Sequence, residues 1–251
     1  MAKKSEPTEL FAPAQPDLYE KSYEEQLASR RVEPVECLGE TFPSDDARRE
    51  HYLGLLAEKL KDPEFRKQPG FPIGKDEYIL RLSDPPYYTA CPNPFLAKFV
   101  EFNGNSYRPE EHYSREPFAS DVKQGKGGSI YKAHTYHTKV PHEAIASYIL
   151  HYTNPGDVVL DAFAGSGMTG VACSFCGDPS DNFLEVIKKE GRSFSLGNRH
   201  AVLTDLSPFA SFLSHNISAP IEKLEFLGLA ENIISASQKE LPKDIYGKPE
   251  V

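Results

Sequence analysis

The chain has 251 residues, with 28 Lys+Arg against 37 Asp+Glu, a formal net charge of -9, 39% hydrophobic residues and 4 Cys. That composition fits one or two globular domains and excludes collagenous, disulfide-rich and wholly disordered classes. The acidic balance also excludes coating of nucleic acid by bulk charge, so any such contact has to use a local basic patch. Four cysteines make a poor disulfide framework and suit a reducing compartment. No apolar run approaches the roughly 18 residues of a membrane span. Lys3 and Lys4 have no apolar core behind them, so the start does not read as a signal peptide and the expectation is a cytoplasmic protein with no membrane partner.

Residues 1–17 are polar and carry Pro7, Pro13 and Pro16, which predicts a flexible leader. A helical amino-terminal region, 18–76, follows. Within it Ser44 precedes Asp45 and Asp46, a hydroxyl cap with acids at the positive end of the helix dipole. This helix is expected to reach about Lys61, with Tyr52, Leu53, Leu56 and Leu60 on one face and Pro63 as its stop. Tyr78-Ile79-Leu80-Arg81-Leu82 reads as a short strand, ended by Ser83-Asp84-Pro85-Pro86-Tyr87-Tyr88, where consecutive prolines forbid continuation. From Thr89 to about Lys139 the chain is turn-rich and aromatic.

Periodicity then sharpens. Ile145, Tyr148, Ile149 and Tyr152 place a helix over His142–Tyr152, Asn154-Pro155-Gly156 stops it, and Val158-Val159-Leu160 is a buried strand. The strand opens into Asp161-Ala162-Phe163-Ala164-Gly165-Ser166-Gly167-Met168-Thr169-Gly170, with a helix to about Cys176. Residues 178–198 read as an insertion around a charged helix. Ala201–Thr204 is a second strand, a helix spans Ser207 to about Asn216, and another runs from Ile221 to about Lys239. Alternating helices and strands are the rhythm of a parallel sheet.

Gly165-x-Gly167-x-x-Gly170 between a strand and a helix satisfies the dinucleotide fingerprint, and glycines there let backbone approach a ligand at a helix N-terminus. The neighbours discriminate between ligands: Asp161 stands four residues before Gly165, and Asp205 ends the next strand. That pattern resembles S-adenosylmethionine-dependent methyltransferases. Lys139-Val140-Pro141-His142, the run Pro155–Gly167 and Thr204-Asp205-Leu206-Ser207-Pro208 look like the cofactor region, 139–216, of DNA methyltransferases that modify the exocyclic amino groups of adenine (N6) or cytosine (N4). The resemblance implies an α/β fold with a Rossmann-like methyltransferase core over 77–251 and S-adenosylmethionine as cofactor. It places the cofactor on Asp161, Ala162, Phe163, Gly165, Ser166, Gly167, Asp205 and Leu206. A bidentate carboxylate at 205 suits two vicinal ribose hydroxyls.

In that family an Asp-Pro-Pro-Tyr loop does the chemistry, and Asp84-Pro85-Pro86-Tyr87 matches it. An amino nitrogen conjugated to a base ring is a poor nucleophile, and acceptors on its hydrogens help to localise the lone pair. By resemblance Asp84 is one acceptor, the Pro85 carbonyl is another, and Tyr87 stacks on the base flipped from the duplex. Prolines leave such carbonyls without competing N–H donors of their own. The wider segment Asp84–Phe95 is similar to the amino-terminal part of large DNA methylases. Because each βα unit takes about 30 residues, the stretch after Asn216 cannot complete a seven-stranded sheet. The chain is therefore expected to be an incomplete member, with an exposed sheet edge or a second polypeptide completing it.

Lys123, Lys126, Lys132 and Lys139, with Tyr131 and Tyr136 among them and no acid, form the best nucleic-acid candidate; a solvated loop is the alternative. Cys173 and Cys176 lie in a helix without further ligands at metal spacing, so packing is expected and no metal. The reading that results is a site-specific DNA methyltransferase of the restriction-modification kind, or a fragment of one. Two alternatives stand beside it: a catalytically incomplete accessory subunit of a modification or defence complex, and a nicotinamide-dependent oxidoreductase.

Overall fold

The structure is a computed structural model that describes residues 33–106, 108–110, 112–119, 128–191, 193–219 and 223–240. The expected leader, Lys123 and Lys126 lie outside the described residues. The chain divides into two units. Residues 34–221 form the larger one, and the helix Lys223–Glu240 is the described part of the other.

The larger unit is mixed α/β with few and short strands. A hairpin pairs β1 (Val35–Cys37) with β2 (Glu40–Phe42). Its loop bears Leu38 and Gly39 at positive φ. Helix α1 (Asp45–Lys59) follows, and Ser44 caps it by accepting the Ala47 N–H at 3.1 Å. Every fourth residue of α1 points inward: Arg48, Tyr52, Leu56 and then Leu60, all at most 3% exposed. Tyr52 joins Cys37, Leu38 and Phe42, while Leu56 and Leu60 pack with Phe65 and Ile79.

After the short helix α2 (Pro63–Arg66) comes α3 (Asp76–Leu82), where a strand was expected. A run of five residues is too short for its periodicity to separate the two states. The flanking charges decide it: Asp76 and Glu77 occupy the first turn and Arg81 the last, each favoured by the helix dipole. Only Ile79 of this helix is buried. Helices α4 (Leu96–Asn103) and α5 (Ser129–Lys132) lead to α6 (His142–Tyr152).

From α6 onward the predicted order holds: β3 (Val158–Asp161), α7 (Met168–Phe175), α8 (Asp181–Lys189), β4 (His200–Leu203) and α9 (Pro208–Ser218). Strands β3 and β4 are parallel, with Val158 opposite His200 and Asp161 opposite Leu203. The buried face of α6 is rotated from the expected one. Ala146, Ile149 and Leu150 face the core, whereas Tyr148 stays 37% exposed. Small residues decide this, because Ala146 and Ala172, both 0% exposed, let α6 and α7 pack closely. Cys173, Cys176, Phe183 and Ile187 complete that core. Burial pushes the Cys173 thiol up to about 12 and Cys176 up to about 11, so both behave as small hydrophobes.

At the start of α6, His142 lies edge-on to Phe175 with ring centroids 4.9 Å apart, and its Nδ1 is buried with no hydrogen-bond partner among the described residues. Burial lowers its pKa; Glu143 opposes the shift and Lys139 reinforces it. With the folded value below the unfolded one, its contribution to stability is complete above about pH 6.5 and is lost as the pH falls through the folded value. Denaturant midpoints of the wild type should therefore fall between about pH 7.5 and pH 5.5, and His142→Gln should show a smaller fall. Equal falls in both proteins would remove His142 as a source of the pH dependence.

Candidate active site

The Gly-rich turn begins where β3 ends. The Asp161 carboxylate folds back over it, with Oδ1 accepting the Phe163 N–H at 3.0 Å and Oδ2 accepting the Thr169 hydroxyl at 2.5 Å. Gly165 and Gly167 take φ of 53° and 75°, the left-handed region that favours glycine. Gly167 also has no room for a side chain, since a Cβ there would lie 2.7 Å from the Ser214 Cα.

Asp205, just past β4, ties this turn to the next element. Its Oδ2 accepts the Gly165 N–H and its Oδ1 the Ser207 N–H, both at 2.9 Å. Ser207 in turn caps α9, accepting the Ala210 N–H at 3.3 Å. The Ser214 hydroxyl donates to the Gly165 carbonyl at 3.0 Å. Beside the two carboxylates, Phe163 is 84% and Leu206 97% exposed, while Ser166 is buried and Ala162 exposed. The ring of Tyr136 lies against Gly165, 3.0 Å from where a Cβ would stand.

The segment 84–88 is a tight turn in which Asp84 and Tyr88 exchange both backbone hydrogen bonds at 2.9 Å, around a cis Pro85–Pro86 bond. One guanidinium holds it. Arg48 donates from Nη2 to Asp84 Oδ1 at 3.1 Å and from Nη1 to the Pro85 carbonyl at 2.6 Å, and its Cζ lies 5.1 Å from the Tyr87 ring centroid. Its Nε and Nη2 fork onto both oxygens of Asp45 at 2.8 and 3.0 Å. Burial works against the charge of Arg48, and the hydrogen bonds to Asp45 with the charge of Asp84 outweigh it, so its pKa is raised. Arg49 donates to the Ser83 carbonyl at 3.2 Å, and the Ser83 hydroxyl accepts the Ala90 N–H at 2.9 Å.

Two expectations are corrected here. The Pro85 and Pro86 carbonyls are not free of donors, since Arg48 takes the first and the Asn93 side-chain amide takes the second at 2.9 Å. Side chains outside the turn supply these donors, Asn93 from seven residues on and Arg48 from another helix. Lys139 is also not a surface cation. It is 8% exposed, and its ammonium donates to the carbonyls of Ile130, Tyr131 and His134 at 3.2, 2.8 and 3.3 Å. That geometry takes it out of the proposed phosphate contacts. Of the four lysines, Lys132 is the exposed one among the described residues.

The Asp84 turn and the Gly turn meet on α9. His215 stacks on Tyr88 with centroids 4.7 Å apart and planes 12° apart, and its Nε2 is 3.9 Å from Asp84 Oδ2. Burial lowers the His215 pKa against the opposing charge of Asp84. Ser214 and His215, adjacent in sequence, thus touch the two turns separately. Sequence reasoning missed both Arg48 and His215. The one available signal was Arg48 itself, a charge in line with the apolar stripe Tyr52, Leu56 and Leu60.

A family model described as DNA methylase, of the N6/N4 type, matches residues 44–178. That span covers more than half of the chain and runs from the cap of α1, through the Asp84 turn, past the Gly turn. The chain belongs to the N6/N4 DNA methylase family. The family is one of S-adenosylmethionine-dependent DNA methyltransferases. Comparison with curated proteins and with solved structures returns no match. No helix among the described residues is long and apolar enough to cross a membrane.

Removing the buried Lys139 ammonium takes the donor from three partly buried carbonyls, each such bond being worth about 1 kcal/mol. Lys139→Ala should therefore lower the denaturant midpoint while leaving the salt dependence of DNA binding unchanged. A reduced salt slope in a folded variant would restore Lys139 as a phosphate contact.

Proposed function

We propose that this chain transfers a methyl group from S-adenosylmethionine to an exocyclic amino group of adenine or cytosine in DNA, at the Asp84–Tyr87 turn. The observation that carries the reading is the convergence on α9, where Ser214 holds the Gly turn and His215 meets Asp84 and Tyr88. A methyl donor held at one turn and an acceptor base held at the other would both be referred to one rigid helix. The Rossmann-like core rests on the family, matched over residues 44–178, and on the parallel β3–β4 pair that carries the Gly turn, while the bounds 77–251 come from the resemblance.

The residues present suit the cofactor by their chemistry. Asp161 and Asp205 are carboxylates with lone pairs left over after their two hydrogen bonds each, which suits hydroxyl and amino donors. Phe163 and Leu206 offer exposed apolar surface for a purine beside them. Asp161, Phe163, Gly165, Ser166, Gly167, Asp205 and Leu206 would hold the cofactor, and Ala162 would line it. When bound, S-adenosylmethionine supplies an electrophilic methyl carbon. The chain's part is to present the nucleophile: Asp84 Oδ2, on a partly exposed carboxylate, accepts an amino hydrogen, while the Pro85 carbonyl is buried and held by Arg48. Tyr87, half exposed, offers a ring face to a base taken out of the stack. Lys132 contributes a local phosphate contact.

A second reading is favoured by one observation. Among the described residues β3 pairs only with β4, and Leu160 is 67% exposed. A second polypeptide completing the sheet there would make this chain the cofactor-binding part of a larger assembly.

Calorimetric titration with S-adenosylmethionine beside Asp205→Ala, and tritium transfer to unmethylated DNA beside Asp84→Ala, test both readings. Losing a hydrogen-bonded carboxylate should weaken cofactor binding by roughly 10–100-fold in Asp205→Ala. Asp84→Ala should bind the cofactor normally and lose methyl transfer by about 10²-fold or more. Cofactor binding without transfer by the wild type would favour the assembly reading. Equal transfer by Asp84→Ala would remove Asp84 from the chemistry.

A further inference from the structure

Arg48 is buried at the first turn of α1, 36 residues before Asp84, yet it contacts three of the four residues of the Asp84–Tyr87 turn. We propose that Arg48 is the positioning residue of this turn, one guanidinium that fixes the Asp84 carboxylate, the Pro85 carbonyl and the Tyr87 ring together. This rests on the methyltransferase reading above and deepens it.

The planar fork explains why an arginine is required. Nη2 on Asp84 Oδ1 leaves Oδ2 on the far side of the carboxylate, toward His215. Nη1 on the buried Pro85 carbonyl pins the peptide that follows Asp84. Because both donors belong to one rigid plane, the Asp84 carboxylate keeps a fixed place relative to the backbone that carries the Tyr87 ring, and Oδ2 stays presented to an amino hydrogen. The guanidinium is itself fixed by its fork onto Asp45, so the contact is made before DNA arrives. A lysine at this position would be a single point charge and could not span both acceptors while holding Asp45.

The test uses the full chain, S-adenosylmethionine with a tritiated methyl group, and mixed-sequence DNA from a methylation-deficient strain. Rates are expressed per cofactor-binding site measured by calorimetry, which removes any unfolded fraction, and DNA affinity is followed by fluorescence anisotropy. Arg48→Lys should bind cofactor and DNA like the wild type and show a kcat lower by about 10²-fold, the scale of a misplacement near 1 Å. Added guanidinium should raise the rate of Arg48→Ala, and ammonium should not. Wild-type kcat per cofactor site in Arg48→Lys would overturn the positioning role while leaving the methyltransferase reading intact. Should Arg48→Lys bind no cofactor, Asp45→Asn carries the test. The Asp45 side chain is 64% exposed, and the substitution replaces one of its two accepting oxygens by an NH2 group, so the fork onto the guanidinium is broken. A lowered kcat with unchanged DNA KM supports the role, and unchanged kcat overturns it. Absence of transfer by the wild type overturns the methyltransferase reading and the role of Arg48 with it.

Discussion

The close approach of Gly167 to Ser214 is the constraint on which the site depends. No other residue type fits: the backbone there is left-handed, and a Cβ would meet the Ser214 Cα at 2.7 Å. The missing side chain lets α9 lie against the Gly turn, where the Ser214 hydroxyl reaches the Gly165 carbonyl. Once α9 is seated, His215 on the next residue faces Tyr88 and Asp84. Asp205 fixes the same arrangement from the other end, with one oxygen on the Gly turn and one on the residue that caps α9. The Gly turn is thus also the seat of the helix that locates the Asp84 loop.

What could be read from the chain depended on how local the deciding physics was. Caps, stops and periodic faces are short-range, and so the ends of α1, the order from α6 to α9 and the Gly turn were legible. At Tyr78–Leu82 the apolar run carried no usable period, and the acids at Asp76 and Glu77 were the deciding signal. The rotated face of α6 was hidden for a related reason. Large aromatic residues dominate a hydrophobic count, while the close packing there is governed by Ala146 and Ala172. The Asp-Pro-Pro-Tyr turn and Asp205 were legible as motifs by resemblance. Arg48 and His215 were not, because their contacts join positions 36 and 127 or more residues apart, and no local pattern encodes those pairings.

The electrostatics of the larger unit follow from where its cations are placed. Arg48, Lys139 and Arg199 are 3%, 8% and 4% exposed. Lys139 spends its donors on backbone carbonyls of irregular segments, and Arg48 divides its own between the Pro85 carbonyl and the carboxylates of Asp45 and Asp84. Arg199 holds the Gly197, Thr153 and Ser195 carbonyls and the Thr153 hydroxyl. Burying a charge is costly unless its hydrogen bonds are made, and each of these groups makes several. The return is order in loops that lack a strand or helix ladder of their own: the Asp84 turn, the 128–139 segment and the approach to β4.

That placement bears on how an acidic chain can meet DNA. With a net charge of -9, the long-range field of the chain opposes a polyanion, so affinity has to come from contacts at short range. The buried cations cannot supply them, since their donors already serve internal carbonyls and carboxylates. Exposed side chains such as Lys132, and the Arg49 guanidinium beside Asp84, are open to phosphate contact. A few such contacts give a shallow salt dependence. On the proposed reading, the turn offers a base the Asp84 carboxylate and the Tyr87 ring face, and a ring face accepts any base. Such a turn would select the chemical group, and the sequence around that group would have to be read by other surfaces.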